Sequence, residues 1–246
     1  MKLVSIITVC YNSEKTIIQT IESVLRQTYP NIEYLIIDGN STDNTLKIIK
    51  EYASQYPNTI SYISEPDKGI YNAMNKGLFL AKGELIGIIN SDDWYEERTV
   101  EFAIEAFMAH GDAVFHGIQR TFHQDEIIGL QCNMANQLSH KMIEHPTCFL
   151  PKSFYCNYGK FDESLKYVGD YELMLRLKKN NVKFIAIEKV LANFREGGAS
   201  HNFKAVLENY SLWLKLGLMS RNKYIYRYVM DHVRLWLKWI RKKNFV

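Results

Sequence analysis

The chain has 246 residues, 47% apolar and 23% charged, with a formal net charge of +3. This is the make-up of a globular protein long enough for one large α/β domain, which needs neither disulfides nor a structural metal to fold. The small net charge excludes a global case for nucleic-acid binding, and Cys10, Cys132, Cys148 and Cys156 form no C-x-x-C pair and read as reduced packing residues.

In chain order, "MKLVSIITVCYNSE" has a short apolar core and no small-residue cleavage site, so it reads as a first strand rather than a signal peptide. "LVSIITV" is the continuous β-branched run of a strand buried on both faces. Ser13 and Glu14 open a predicted helix to about Gln27, closed by "TYPN". "EYLIIDG", a helix over Thr42–Tyr56, "ISYIS", a helix over Gly69–Lys82, "ELIGII" and a helix over Glu97–His110 follow. Strand–helix alternation at this spacing predicts a parallel sheet with right-handed crossovers, which "DAVFHGI" continues. The second half is less regular. "RTFHQDEIIGLQC" predicts a hairpin, "HPTCFLPKSFYCNYGKF" a strand and a turn-rich segment, "DYELMLRLKKN" a helix, and "VKFIAIEKVLANFRE" a strand or strand pair. Helices are expected over 201–217 and 222–243. No stretch reaches the ~18 apolar residues of a membrane span, which predicts a cytoplasmic protein.

Ligands of open α/β sheets bind beyond the carboxyl ends of the strands. Four consecutive strands end in polar or acidic residues: Tyr11 and Asn12, then Asp38, then Glu65 and Asp67, then Asp92 and Asp93. Each alone is a plausible turn or cap. Together they predict an acidic cleft. Neither G-x-G-x-x-G nor G-x-x-x-x-G-K-[ST] occurs, so any phosphates must be neutralised by a cation on carboxylates rather than by a glycine-rich loop.

"SIITVCYN", "IIDGNSTDNT", "SEPDKGIYNAMNKG", "NSDD" and "GDYELMLRL", in this order over residues 3–200, resemble the family-two glycosyltransferases of GT-A fold, and the third motif resembles bacterial enzymes of surface-polysaccharide synthesis. The resemblance implies a GT-A catalytic domain over 1–200, a Rossmann-like, mostly parallel sheet with flanking helices. A helical C-terminal extension would occupy 201–246. It implies an inverting transferase that moves a hexosyl or N-acetylhexosaminyl group from a nucleotide-diphospho-sugar, a UDP-sugar, to a lipid-linked glycan. By the same resemblance Val9 and Tyr11 line the base and ribose pocket. Asp38 accepts from the uracil imide, Asp67 contacts the nucleoside, and Asp92 lies near the ribose. Asp93 holds manganese or magnesium, and Asp170 is the catalytic base. Ser91 departs from the all-acidic motif and leaves one metal ligand fewer. A base is needed to remove the acceptor's proton, and a carboxylate at a helix start stays ionised. Glu172 competes for that role, and Asp170 alone could be an N-cap.

Asn72, Lys76, His145 and His201 are further candidates for donor or acceptor contacts, against readings as exposed helix face, core histidine or glycine turn. A nucleotidyltransferase is a rival, and so is a catalytically silent, membrane-associated protein that keeps the fold. On a helical projection of 225–242, Arg227, Asp231, Arg234, Lys238, Arg241 and Lys242 share an arc of roughly 100°, and Ile225, Val229, Val233, Trp236, Leu237, Trp239 and Ile240 occupy the rest. That pattern predicts contact with the inner-membrane surface, against a helix packed on the catalytic domain with its basic face in water.

Overall fold

The computed structural model describes residues 1–197 and 202–243, without the side chains of 235–243. It divides into two compact units, Met1–Gly198 and Ala199–Val246.

The first unit begins with four strands, β1 (Val4–Cys10), β2 (Ile32–Asp38), β3 (Ile60–Ser64) and β4 (Leu85–Ile88), joined by α1 (Ile17–Leu25), α2 (Thr45–Gln55) and α3 (Ile70–Leu80). They pair in parallel in the order β3-β2-β1-β4. Every residue of β1 is buried, Ser5 and Thr8 included, as a largely β-branched run requires when helices cover both faces. The direction of winding reverses between β1 and β4, which opens a crevice at their carboxyl ends. Helix α1 starts at Ile17, three residues later than its sequence signal, because Ser13 and Glu14 are used elsewhere. The Ser13 amide donates to Thr45 Oγ1 (2.7 Å), and Glu14 Oε2 accepts from Asn44.

The second half of this unit departs from simple alternation. It contains β5 (Trp94–Tyr95), α4 (Thr99–His110), β6 (Val114–His123), β7 (Glu126–Gln131), β8 (Phe149–Pro151), α5 (Lys152–Asn157), α6 (Gly169–Lys179) and β9 (Phe184–Arg195). Strand β8 slots between β4 and β6 and runs antiparallel to both, whereas β6 and β9 pair in parallel. The sheet is therefore mixed, with its parallel part concentrated in the first half. The expected β6–β7 hairpin forms, turning on Gln124 and Asp125, both with positive φ. The segment expected to be only turn-rich includes the short helix α5.

The second unit holds α7 (Phe203–Lys215) and α8 (Arg221–Lys243). Asn202 caps α7 by accepting from the Ala205 amide at 3.0 Å. Two residues of the polar arc of α8, Arg227 and Asp231, engage α7. Asp231 accepts from the Tyr210 hydroxyl at 2.8 Å, and the Arg227 guanidinium lies over Tyr210 and Trp213. Of the apolar arc of α8, Ile225 and Val229 are 51% exposed and Val233 41%. Among the described residues no helix is long and apolar enough to cross a membrane.

Candidate active site

The loops after β1 and β2 are stitched to each other. The Asn12 amide donates to Ser41 Oγ at 2.8 Å, and Asn12 Oδ1 accepts from the Thr42 amide at 2.8 Å. Asn12 makes these bonds with φ at 51°, a conformation asparagine tolerates better than most residues. Beneath them lies Asp38, fully buried. Its oxygens accept from the Ser41 amide and hydroxyl and from Ser64 Oγ (2.6 Å), so in this structure it fixes the turn and shows no surface to a base. The residue above it is Gly39. A Cβ there would lie 2.5 Å from Asp67 Oδ2 and 3.4 Å from the Tyr11 ring, so the missing side chain lets both close in over this residue. Tyr11 is 60% exposed, while Val9 is buried in β1, so Tyr11 supplies the accessible surface of that pair.

Across the crevice, Ser91 Oγ lies 2.8 Å from Ser13 Oγ, and Thr20 Oγ1 donates to the Asp93 carbonyl at 2.7 Å. These bonds tie the end of β4 to the loop and helix after β1. Asp93 is buried. Its Oδ1 accepts from the Arg195 amide at 3.0 Å, and its Oδ2 has no partner among the described residues. Burial, reinforced by the Asp92 charge, pushes the Asp93 carboxyl well above the usual carboxylate range, and burial also raises half-buried Asp92. Asn90 Oδ1 and Arg195 Nε are likewise buried without partners among the described residues. Arg195 was not singled out in the sequence. Its guanidinium lies over Trp94, donates to Gln19 at 2.8 Å, and its charge opposes the upward shifts of both aspartates.

The second carboxylate station is Asp170, in the first turn of α6 and half-buried. Its Oδ1 accepts from the Tyr71 hydroxyl (3.1 Å) and the Tyr171 amide (2.9 Å). Tyr71 also lies against Phe161, with ring centroids 5.6 Å apart, and His145 meets Phe161 edge-on at 5.9 Å. His145 is buried, and burial lowers its pKa while the Asp170 charge opposes that. The sequence candidate His145 therefore belongs to the Asp170 neighbourhood.

The other candidates have structural partners. Glu172 forms an ion pair with Arg176 (2.8 Å), whose guanidinium also donates to the carbonyls of Tyr158, Gly159 and Lys160. Glu172 thereby braces the loop before α6, and its carboxylate is engaged there. Asn72 donates to Glu163 at 2.9 Å, and Lys76 pairs with Glu65 at 2.9 Å and donates to the Pro66 carbonyl. His201 lies outside the described residues.

Two adjacent carboxylates, one with an orphaned buried oxygen, have the charge that a divalent cation would satisfy. Among the described residues no third His, Cys, Asp or Glu completes a ligand set. The fit is to a cation that arrives with oxygen ligands of its own.

Residues 5–161 match the family model for glycosyl transferase family 2. The chondroitin synthase of Escherichia coli is 32% identical over 184 residues, 72% of this chain and 26% of that protein. The chain thus spans about a quarter of the length of such relatives. A UDP-Glc:alpha-D-GlcNAc-diphosphoundecaprenol beta-1,3-glucosyltransferase of Escherichia coli, WfaP, is 30% identical over 236 residues, covering 92% of this chain and 91% of that one. Residues 1–349 of S. aureus TarS, solved with UDP-GlcNAc, share the fold with a TM-score of 0.69, 20% identity and coverage of 85% of this chain and 64% of that one.

Proposed function

The chain belongs to glycosyl transferase family 2, and from that premise we propose that it transfers a sugar from a UDP-sugar to a hydroxyl of a lipid-linked glycan, with inversion, in bacterial surface-polysaccharide synthesis. The observation that carries this reading is the pair of unlike carboxylate stations in one unit: frustrated Asp92–Asp93 beside the switch point, and accessible, hydrogen-bonded Asp170 at a helix start. The names of two similar proteins support the substrates, since one takes UDP-Glc and an undecaprenol diphosphate acceptor and the other was solved with UDP-GlcNAc.

In this reading Tyr11 and Asp67 form the nucleoside wall, with Gly39 between them and Asp38 holding the turn beneath. Asp170 takes the proton of the acceptor hydroxyl as that oxygen bonds to the anomeric carbon. The bond from that carbon to the diphosphate oxygen breaks on the opposite face, so an α-linked donor gives a β-glycoside. The Arg195 guanidinium adds positive charge beside the leaving group's side of the cleft. A divalent cation, manganese or magnesium, held by Asp93 with Asp92 beside it, supplies charge neutralisation to the departing diphosphate when bound. The transferred group is a hexosyl or N-acetylhexosaminyl unit.

We further place the enzyme at the cytoplasmic face of the inner membrane. The support is α8, where Ile225, Val229 and Val233 are exposed while Arg227 and Asp231 engage α7. Arg221, Lys223 and Arg234 are exposed on the same helix and suit an anionic surface. Replacing Ile225 and Val229 by Glu should reduce co-sedimentation with anionic vesicles; undiminished binding would return α8 to a packed role.

The test of the transferase reading is calorimetric titration with uridine, guanosine and thymidine diphosphates, each with and without manganese. Metal-dependent binding of the uridine nucleotide is expected, followed by transfer when UDP-sugars and polyprenyl-linked acceptors are supplied. Binding of none of the three would leave the silent-scaffold reading in its place.

A further inference from the structure

Beyond the residues assigned above, one side chain reaches the proposed base from a distant part of the sequence. Tyr71 is in the first turn of α3, and Asp170 is 99 residues further on. The tyrosine is buried, with its hydroxyl 3.1 Å from Asp170 Oδ1. The Tyr171 amide donates to the same oxygen. No described residue donates to Oδ2. The two donors therefore hold one oxygen and leave the other without a donor among the described residues.

The contact depends on the residue before the aspartate. A Cβ on Gly169 would lie 2.7, 2.9 and 2.9 Å from Tyr71 Cε2, Cδ2 and Cζ. Real Cβ atoms do not approach a ring that closely, so any side chain at 169 must displace the tyrosine or the helix start. Phe161 stacks on the other part of this arrangement, and Asn75 holds Phe161 through its carbonyl (3.0 Å) and amide (3.1 Å). Helix α3 thus anchors both the ring and the loop that leads to Asp170.

We propose that Tyr71 is a positioning residue for the transfer reaction: its hydroxyl pins Asp170 Oδ1, so that Oδ2 is directed to the acceptor hydroxyl, and Gly169 exists to admit its ring. The proposal rests on the reading of Asp170 as the base. A hydrogen bond donated to a carboxylate favours its ionised form, so removing the donor is a perturbation that a pH profile can read. Burial and the Asp170 charge raise the Tyr71 phenol well above 10, so it remains a donor throughout the working range. The other titratable groups near Asp170 are His145, Cys148 and Glu172. Burial lowers His145 and raises Cys148, and Glu172 is paired with Arg176.

The experiment is the pH dependence of kcat/KM for the full chain with a UDP-sugar donor, compared with Tyr71→Phe and Gly169→Ala. Loss of one donor to the carboxylate should move the acid limb upward by about one pH unit in Tyr71→Phe. kcat should fall several-fold at neutral pH, with KM for the donor sugar-nucleotide unchanged. Gly169→Ala should move the limb in the same direction, because it pushes the phenol away. If either variant loses its fold by circular dichroism, Tyr71→3-fluorotyrosine, a stronger donor of the same shape, should move the limb downward. A lower rate with an unmoved limb, or a fluorotyrosine protein with the wild-type limb, overturns the proposal and leaves Tyr71 a packing residue. Asp170→Asn separates the two levels of inference: near-normal turnover there defeats the base assignment itself, whereas its loss together with an unmoved limb in Tyr71→Phe defeats only the positioning role.

Discussion

Asp93 and Asp170 are both acidic residues of one unit, yet their surroundings differ in every respect that matters to a carboxylate. Asp93 is buried, has a second carboxylate as its neighbour, and keeps one oxygen without a partner among the described residues. Asp170 is half-exposed, begins a helix, and accepts two hydrogen bonds on one oxygen. The first arrangement is one in which burial disfavours the charged carboxylates, and a bound cation would offset that cost. The second sets a carboxylate in the first turn of a helix with two donors on one oxygen. In the proposed mechanism the two like groups divide the labour of sugar transfer, with charge neutralisation at one station and proton removal at the other.

The largest expected effect tests the proton side of this comparison. Asp170→Asn keeps shape and hydrogen-bond acceptance but cannot take a proton, so turnover should fall by about two to four orders of magnitude. Binding of uridine diphosphate with manganese should be unchanged, because Asp170 takes no part in the nucleotide wall. Single-turnover kinetics beside calorimetry would separate the two quantities. A parallel loss of nucleotide affinity would mean that the two stations are not independent.

The halves of the catalytic unit also differ in how openly the sequence declares them. The strands β1 to β4 were legible because each is an apolar run with a helix between neighbours, and the residues at their ends follow at once from strand direction. Asp38 was legible as a residue of that edge but not as a buried one, because its burial depends on Ser41 and Ser64 closing over it. Strand β8 was legible as a strand, but its antiparallel place between β4 and β6 was not, since three residues carry no signal of direction. The links that complete the stations are the least visible. The Arg195 amide reaches Asp93 across 102 residues and Tyr71 reaches Asp170 across 99. The one local hint at the second link was a glycine directly before an aspartate, whose reason is the ring of a tyrosine on another helix.

On the cation side the same variant gives a moderate effect and a small one. Asp93→Asn keeps the bond from the Arg195 amide but removes the charge. Manganese should then improve nucleotide affinity far less than in the wild-type chain, where the coupling is expected to be about tenfold or more. An unchanged metal response would remove Asp93 from the cation site.

The smaller effect concerns stability without metal. The folded-state pKa of Asp93 is raised well above that of an unfolded aspartate, chiefly by burial and then by Asp92. A group raised in this way contributes stability that is fully present below the unfolded value, near 4, and is lost as pH rises through the folded value. The asparagine variant has no such loss. In the presence of a chelator it should therefore be more stable than the wild-type chain by about 1 kcal/mol at pH 8, and the advantage should shrink as pH is lowered towards 5. Scanning calorimetry at several pH values reads this directly. Addition of manganese and uridine diphosphate should reverse the order, because only the wild-type chain has the charge that the cation relieves. A difference independent of pH would show that Asp93 is not the strained carboxylate, and the contrast with Asp170 would then have to rest on Asp92.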